Sequence, residues 1–277
     1  CRCPAGSARA MAVQAERGRR LRSSALAWGV GGVAMLCVAM HCSEAAECQV
    51  AFLGGAKDEG MSPDSIAMAK TALQEADAVC FDVDSTVVET EGIDLLAACF
   101  GVYEEVANLT RNAMNGNIKF QDALAARLDI MQPTVEGVAK CLEKEQPKFT
   151  PGMKQVMARL QERGVELYLV SGGFTLMIEP IAEILKIPKE NIFANKLLFA
   201  GDGSYNGFDR DAPTSKSGGK PAVVAMLKKS KGYETVVMFG DGATDMDARP
   251  PATAFIGYGG VQVRAKVKAG SDWFVTS

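Results

Sequence analysis

Residues 78–86 read AVCFDVDST, and this stretch limits the fold more tightly than any other. A short apolar run, Val79-Cys80-Phe81, makes a buried strand of a parallel sheet. It breaks off in Asp82-Val83-Asp84. Alternation along a strand sends Asp82 and Asp84 to one side, two residues apart. Carboxylates that close repel unless a cation sits between them or one carries a proton. A short oxygen-rich site suits Mg²⁺, which takes one or two carboxylates together with phosphate oxygens. Open α/β sheets bind ligands outside the carboxyl ends of their strands. One reading is an aspartate nucleophile with a carboxylate partner and a magnesium ion. The alternative is a solvated turn, and an isolated Asp-x-Asp is more often that, so the rest of the chain has to decide.

The remaining pattern alternates strands and helices, with one interruption. Ser62-Pro63 opens a helix to about Ala76, with proline at the first helical position. From Gly92 to Gln146 no strand-like run occurs. Helical patterns cover 93–100, 103–113, 120–131 and about 134–145 instead. Short successive helices between two parts of a β/α alternation predict an inserted helical subdomain. Thr150-Pro151 restarts the alternation with a helix to Arg163. A strand over 165–170 follows and ends in Ser171-Gly172-Gly173. Next come a helix over 176–185 containing Pro180, a strand over 191–196 and a Gly/Asp turn over 200–207 suited to a hairpin. Ser217-Gly218-Gly219-Lys220 leads into a helix over 221–229. An apolar strand over 236–239 ends in Gly240-Asp241-Gly242-Ala243-Thr244-Asp245. Strands over 254–257 and 273–275 close the pattern, where a terminal helix is expected and none is read.

Composition removes several chemistries. The single histidine, His41, lies in the atypical N-terminal stretch. That leaves no Ser-His-Asp triad, no phosphohistidine and no His-rich zinc site. A net charge of −3 gives no reason to expect a nucleic-acid partner. Of the eight cysteines, Cys80, Cys99 and Cys141 fall in apolar strand or helix patterns. Their spacing fits neither a zinc ribbon nor a disulfide framework, so buried free thiols are expected. Residues 1–43 hold six arginines, no lysine and one acid, Glu16, followed by an apolar stretch over 25–40. That composition predicts a targeting leader within 1–60, plastid or mitochondrial, with a cytoplasmic protein as the alternative. Secretion, a membrane anchor and translated non-coding sequence are the other readings of the stretch. No stable membrane association is expected of the mature form.

Four strand ends or loops thus carry groups suited to phosphate: Asp82 with Asp84, Ser171 with Gly172 and Gly173, Lys220, and Asp241 with Asp245. A hydroxyl beside glycine N–H groups can hold phosphoryl oxygens. A lysine at a helix start adds charge where free N–H groups also point. Taken singly, each has an ordinary reading as turn or surface. Their order, each after or beside an apolar strand, is hard to obtain by accident.

That order resembles the haloacid dehalogenase superfamily. DVDSTVVETE (82–91), Ser171–Phe174, SGGK (217–220) and GDGATDMD (240–247) resemble its phosphoserine phosphatase family over roughly residue 76 to the C-terminus. The resemblance implies a Rossmann-like α/β core, its sheet mostly parallel with helices on both faces, over 61–92 and 147–277. A small helical-bundle cap is implied over 93–146. It implies Mg²⁺-dependent hydrolysis of phosphoserine through an aspartyl-phosphate, the last step of serine biosynthesis. In that scheme Asp82 is the nucleophile and Asp84 the general acid and base. Asp82, the Asp84 backbone carbonyl and Asp241 hold the metal, and Asp245 orients them. Lys220, Ser171 and Gly172 bind phosphoryl oxygens. Glu91 receives the substrate ammonium and Arg127 its carboxylate, a pairing that suits a zwitterion. Met114 and Phe120 close over the site, and Thr244 lies near the substrate. Asn115 departs from the family pattern, which has glycine there. The partner is a small molecule, and the assembly a monomer or homodimer. A related phosphatase or phosphotransferase with another small substrate is the near rival. A non-catalytic binding protein on the same fold is the distant one.

Overall fold

The computed structural model describes residues 61–115 and 119–277, apart from the side chains of 111–115. The expected leader and the Met114 and Asn115 side chains lie outside what is described. The chain opens with α1 (Pro63–Gln74) and β1 (Ala78–Phe81), then runs through four helices. These are α2 (Gly92–Cys99), α3 (Tyr103–Asn115), α4 (Phe120–Met131) and α5 (Val135–Lys144). The alternation resumes with α6 (Met153–Glu162), β2 (Glu166–Phe174), α7 (Thr175–Ile184) and β3 (Ile192–Asn195). A hairpin of β4 (Leu197–Phe199) and β5 (Tyr205–Phe208) precedes α8 (Gly219–Lys231). The chain finishes with β6 (Val236–Gly240), α9 (Ala243–Met246), β7 (Ala254–Tyr258), α10 (Ala265–Gly270) and β8 (Trp273–Val275).

Six strands form one sheet in the order β3-β2-β1-β6-β7-β8, and every neighbouring pair is parallel. The period of two divides the strand residues between two cores. Val79, Phe81, Leu167, Leu169, Val237 and Phe239 pack with α1, α6 and α7. Ala78, Cys80, Tyr168, Val170, Val236 and Met238 pack with α8 and α10. A sheet covered on both faces is why these strands read as continuous apolar runs. β1 sits between β2 and β6, so the chain after Phe81 emerges where the strand order reverses, the usual ligand position in such sheets.

Helices α2–α5 share a third core. Leu96, Val106, Leu124, Leu128, Val138 and Cys141 pack with Met177 of α7 and with Leu197 and Phe208 of the hairpin. Thr134 caps α5 by accepting from the Gly137 N–H at 3.1 Å. The two ends of this segment are paired where they leave and rejoin the sheet layer. Glu89 N–H donates to Lys148 O at 2.9 Å, and Thr150 N–H donates to Val87 O at 3.0 Å.

Three expectations need correction. The strand expected to end at Val170 continues to Phe174, because β2 bulges against β3. Helix α6 starts at Met153 rather than at Pro151, since Gly152 takes a left-handed φ of 81°. Cys99 and Cys141 form a disulfide, so neither is a free thiol. They lie 42 residues apart, on helices α2 and α5 that pack together, and no local spacing announces such a pair. Cys80 remains the free, buried thiol among the described residues.

The disulfide encloses α3 and α4. Closing a loop of that length restrains the unfolded chain by roughly 3–4 kcal/mol. Cys99→Ser with Cys141→Ser should lower stability by about that much in urea titration. Adding a reductant to the double variant should have no further effect, whereas it should destabilise the parent chain.

Candidate active site

Asp82 continues the ladder of β1, its N–H donating to Phe239 O at 2.9 Å. β1 itself stops at Phe81, so Asp82 and Val83 leave the strand end and a turn begins at Asp84. The turn is tight: Thr86, Val87 and Val88 all donate N–H groups to Val83 O. Ser85 takes a left-handed φ of 54°, a conformation that costs a non-glycine residue energy. It directs the Ser85 hydroxyl to Glu91 Oε1 at 2.7 Å. Asp84 Oδ1 accepts from Gly92 N–H at 3.1 Å. The loop carrying both aspartates is thereby tied to the first turn of α2.

Lys220 is the electrostatic centre. Its Nζ lies 2.9 Å from Asp82 Oδ2 and 2.5 Å from Asp245 Oδ1. Both Asp82 and Lys220 are buried, at 8% and 7% exposure. Burial alone would lower the lysine pKa, but the Asp245 and Asp82 carboxylates outweigh it and raise it. The lysine reaches this position because α8 starts at Gly219, where a Cβ would stand 2.1 Å from Pro213 O. Only glycine tolerates that approach. Asp245 is held by the Gly242 N–H, which donates to its Oδ2 at 2.9 Å.

Asp82, Asp241 and Asp245 bring carboxylate oxygens within 4.8 Å of one another. Burial, then the Asp82 charge, raises the pKa of Asp241 and of Asp245. Burial, then Glu91 and Asp82, holds Asp84 well above the usual carboxylate range. These all-oxygen donors and their mutual repulsion fit a hard divalent cation. Asp241 Oδ1 accepts from Thr86 Oγ1 at 3.3 Å, and Arg264 Nε and Nη2 each lie 2.9 Å from its Oδ2. Arg264 Nη2 is also 3.8 Å from Glu91 Oε1. Sequence reasoning missed Arg264, which sits in a Gly/Val-rich segment with no motif around it.

A cavity of about 520 Å³ joins these groups. Asp82, Ser171, Gly172 and Lys220 line it together with Glu91, Arg127, Asp241, Thr244 and Phe120. Ser171 is buried on the bulged end of β2. Gly173 lies so near Asp84 that a Cβ there would meet Asp84 Oδ2 at 3.0 Å and Ser171 Oγ at 3.2 Å. On the helical side, Arg127 Nε donates to Ala123 O at 3.0 Å. Burial lowers the Arg127 pKa, while Asp94 and Glu91 pull it back up. Burial raises Glu91, and the Ser85 hydroxyl opposes that rise. All the site residues expected from the sequence line this cavity except Asp245, whose carboxylate joins those of Asp82 and Asp241 from outside the lining, and Met114, whose side chain is not described.

The family model for haloacid dehalogenase-like hydrolases matches residues 76–250. The phosphoserine phosphatase of Bos taurus is 50% identical over 201 residues, covering 73% of this chain and 89% of that protein. A chloroplastic phosphoserine phosphatase of Arabidopsis thaliana is 48% identical over 204 residues, 73% of this chain and 69% of its own. A solved substrate-bound phosphoserine phosphatase complex is 28% identical with a TM-score of 0.64, over 73% of this chain and 94% of its own.

Removing the Lys220 charge leaves Asp82 and Asp245 facing each other without compensation. Breaking a buried pair of this kind costs about 3–5 kcal/mol. Lys220→Met should show that loss in urea unfolding with chelator present, and Asp245→Asn in the same background should recover part of it. Equal stability of Lys220→Met and the parent would refute this account of the acid cluster.

Proposed function

We propose, from the premise that this chain belongs to the haloacid dehalogenase-like hydrolases and among them to the phosphoserine phosphatases, that Asp82, Asp84 and Lys220 carry the hydrolysis of O-phospho-L-serine to L-serine and phosphate. The observation that carries this reading is the single cavity in which Asp82, Ser171 and Lys220 meet Glu91 and Arg127. One end offers a nucleophile and phosphoryl-binding groups. The other offers an acid for an ammonium and a guanidinium for a carboxylate. A zwitterionic phosphomonoester matches both.

Asp82 attacks phosphorus as the phosphorus–oxygen bond to serine breaks, forming an aspartyl-phosphate. Asp84 gives its proton to the departing serine oxygen. It then takes a proton from a water molecule, which attacks the aspartyl-phosphate and releases inorganic phosphate and free Asp82. Lys220 and the Ser171 hydroxyl offset the charge on the phosphoryl oxygens. Asp82, the Asp84 backbone carbonyl and Asp241 would hold Mg²⁺, with Asp245 supporting them. The ion would supply charge neutralisation between nucleophile and phosphate. Glu91 and Arg127 orient the amino-acid end, and Phe120 with Met114 shields it. Residues 93–146 act as the cap on the core of 61–92 and 147–277, opening for substrate and closing against bulk water. Residues 1–60 are an organelle-targeting leader, a reading supported by their composition and by the chloroplastic relative.

Phosphate release from phosphoserine, phosphothreonine and a simple phosphomonoester tests the assignment. Phosphoserine should turn over with Mg²⁺ and stop with chelator, and Asp82→Asn should be inactive. Arg127→Ala should raise the phosphoserine KM by about tenfold or more and erase most of the preference over the simple ester. Equal turnover of all three substrates by the parent would keep the chemistry and overturn the substrate.

A further inference from the structure

The peptide unit between Gly172 and Gly173 is held at both ends, and one of those holds comes from a residue outside the cavity wall. β2 and β3 pair at Leu169–Ile192 and Val170–Phe193, and then only at Phe174–Asn195. β2 advances four residues while β3 advances two, so the surplus falls on Ser171–Gly173. Backbone groups in such a bulge lose their ladder partners, and a buried one left unpaired is costly. Here the Asn195 side chain takes the place of the ladder: its Nδ2–H donates to Gly172 O at 2.8 Å. At the other end of the same peptide unit, Gly173 N–H donates to Ser171 Oγ at 2.9 Å.

That second bond decides where the Ser171 proton goes. A hydroxyl oxygen that accepts one hydrogen bond still has its own hydrogen to donate. Ser171 is 1% exposed and borders the cavity, so its O–H is left to face a ligand oxygen there. The Asn195 amide is in turn fixed by Thr214, whose Oγ1 donates to Asn195 Oδ1 at 3.0 Å. Reversed, the amide would set an oxygen against Gly172 O, and at 0% exposure no bulk water could relieve that clash. Thr214 belongs to the short turn Pro213–Ser215 that precedes α8. The pair therefore links the strand bearing Ser171 to the segment that delivers Lys220.

We propose that Asn195, with Thr214 behind it, is a positioning residue that aims the Ser171 hydroxyl at the phosphoryl group. This rests on the phosphatase reading above. Asn195 stands outside the cavity lining while Thr214 borders it, and the effect passes through the Gly172–Gly173 peptide.

The test compares Thr214→Val, Thr214→Ser, Asn195→Leu and Ser171→Ala in the full chain. It measures phosphoserine KM and kcat, the inhibition constant of inorganic phosphate, and the melting temperature. Thr214→Val should raise the phosphoserine KM and the phosphate inhibition constant together, by about tenfold, the scale of one hydrogen bond to a charged group. Thr214→Ser, which keeps the hydroxyl, should restore both. In a Ser171→Ala background Thr214→Val should add almost nothing, because its target is already gone. Asn195→Leu should match Thr214→Val or exceed it; should it fail to fold, the threonine pair and the cycle still decide. Losses that multiply in the double variant, or a fall in melting temperature with an unchanged phosphate constant, would overturn the proposal and leave a purely structural pair. A parent chain that does not hydrolyse phosphoserine would instead sink the underlying reading.

Discussion

The Lys220 ammonium is what allows this acid cluster to exist in a folded chain. Four aspartates, Asp82, Asp84, Asp241 and Asp245, lie at or behind one cavity, and burial disfavours the charged forms of Asp84, Asp241 and Asp245. A single cation, at 7% exposure and bonded to two of them, offsets part of that cost. Buried pairs of this kind are weak sources of net stability. Their persistence is better understood as fixing geometry: Lys220 sets the Asp82 carboxylate, and the Gly242 N–H sets Asp245. Arg264 does the same for Asp241. The sheet makes this possible because β1 and β6 are neighbours, so Asp82 and Asp241 emerge side by side although 159 positions separate them in the sequence.

Much of this arrangement is legible in the sequence. Apolar runs marked β1, β2 and β6 because each is buried on both faces, and each was followed by its polar motif. The helical segment was legible from four periodic stretches with no strand between them. What stayed hidden was long-range or irregular. The β2 bulge arises from an offset against β3, which the strand's own residues do not encode. Cys99 and Cys141 meet only because α2 packs on α5. Arg264 reaches Asp241 from a segment whose composition is that of an ordinary loop. Asn195 falls within the strand expected over 191–196 and Thr214 in a stretch with no expected element, and their meaning appears only when β3 lies beside the bulge.

The helical segment and the acid turn are joined through one short loop. Gly92 begins α2, and its N–H holds Asp84. Glu91, the residue before it, is held by Ser85 of the same turn. The two residues proposed to sense the amino-acid end and to move the proton are therefore anchored across one short loop. Any displacement of α2 shifts the Gly92 donor and with it the Asp84 carboxylate. On the proposed reading, an ammonium seated against Glu91 meets a carboxylate whose Oε1 already accepts from the Ser85 hydroxyl and lies 3.8 Å from Arg264 Nη2. On that reading, substrate capture and placement of the acid are coupled through these contacts. A phosphomonoester lacking the ammonium would leave Glu91 in its resting contacts, and would meet an Asp84 whose orientation it has done nothing to adjust. If Glu91 and Asp84 have the roles proposed for them, selectivity acts on the proton-transfer step as well as on binding, through a loop of fewer than a dozen residues.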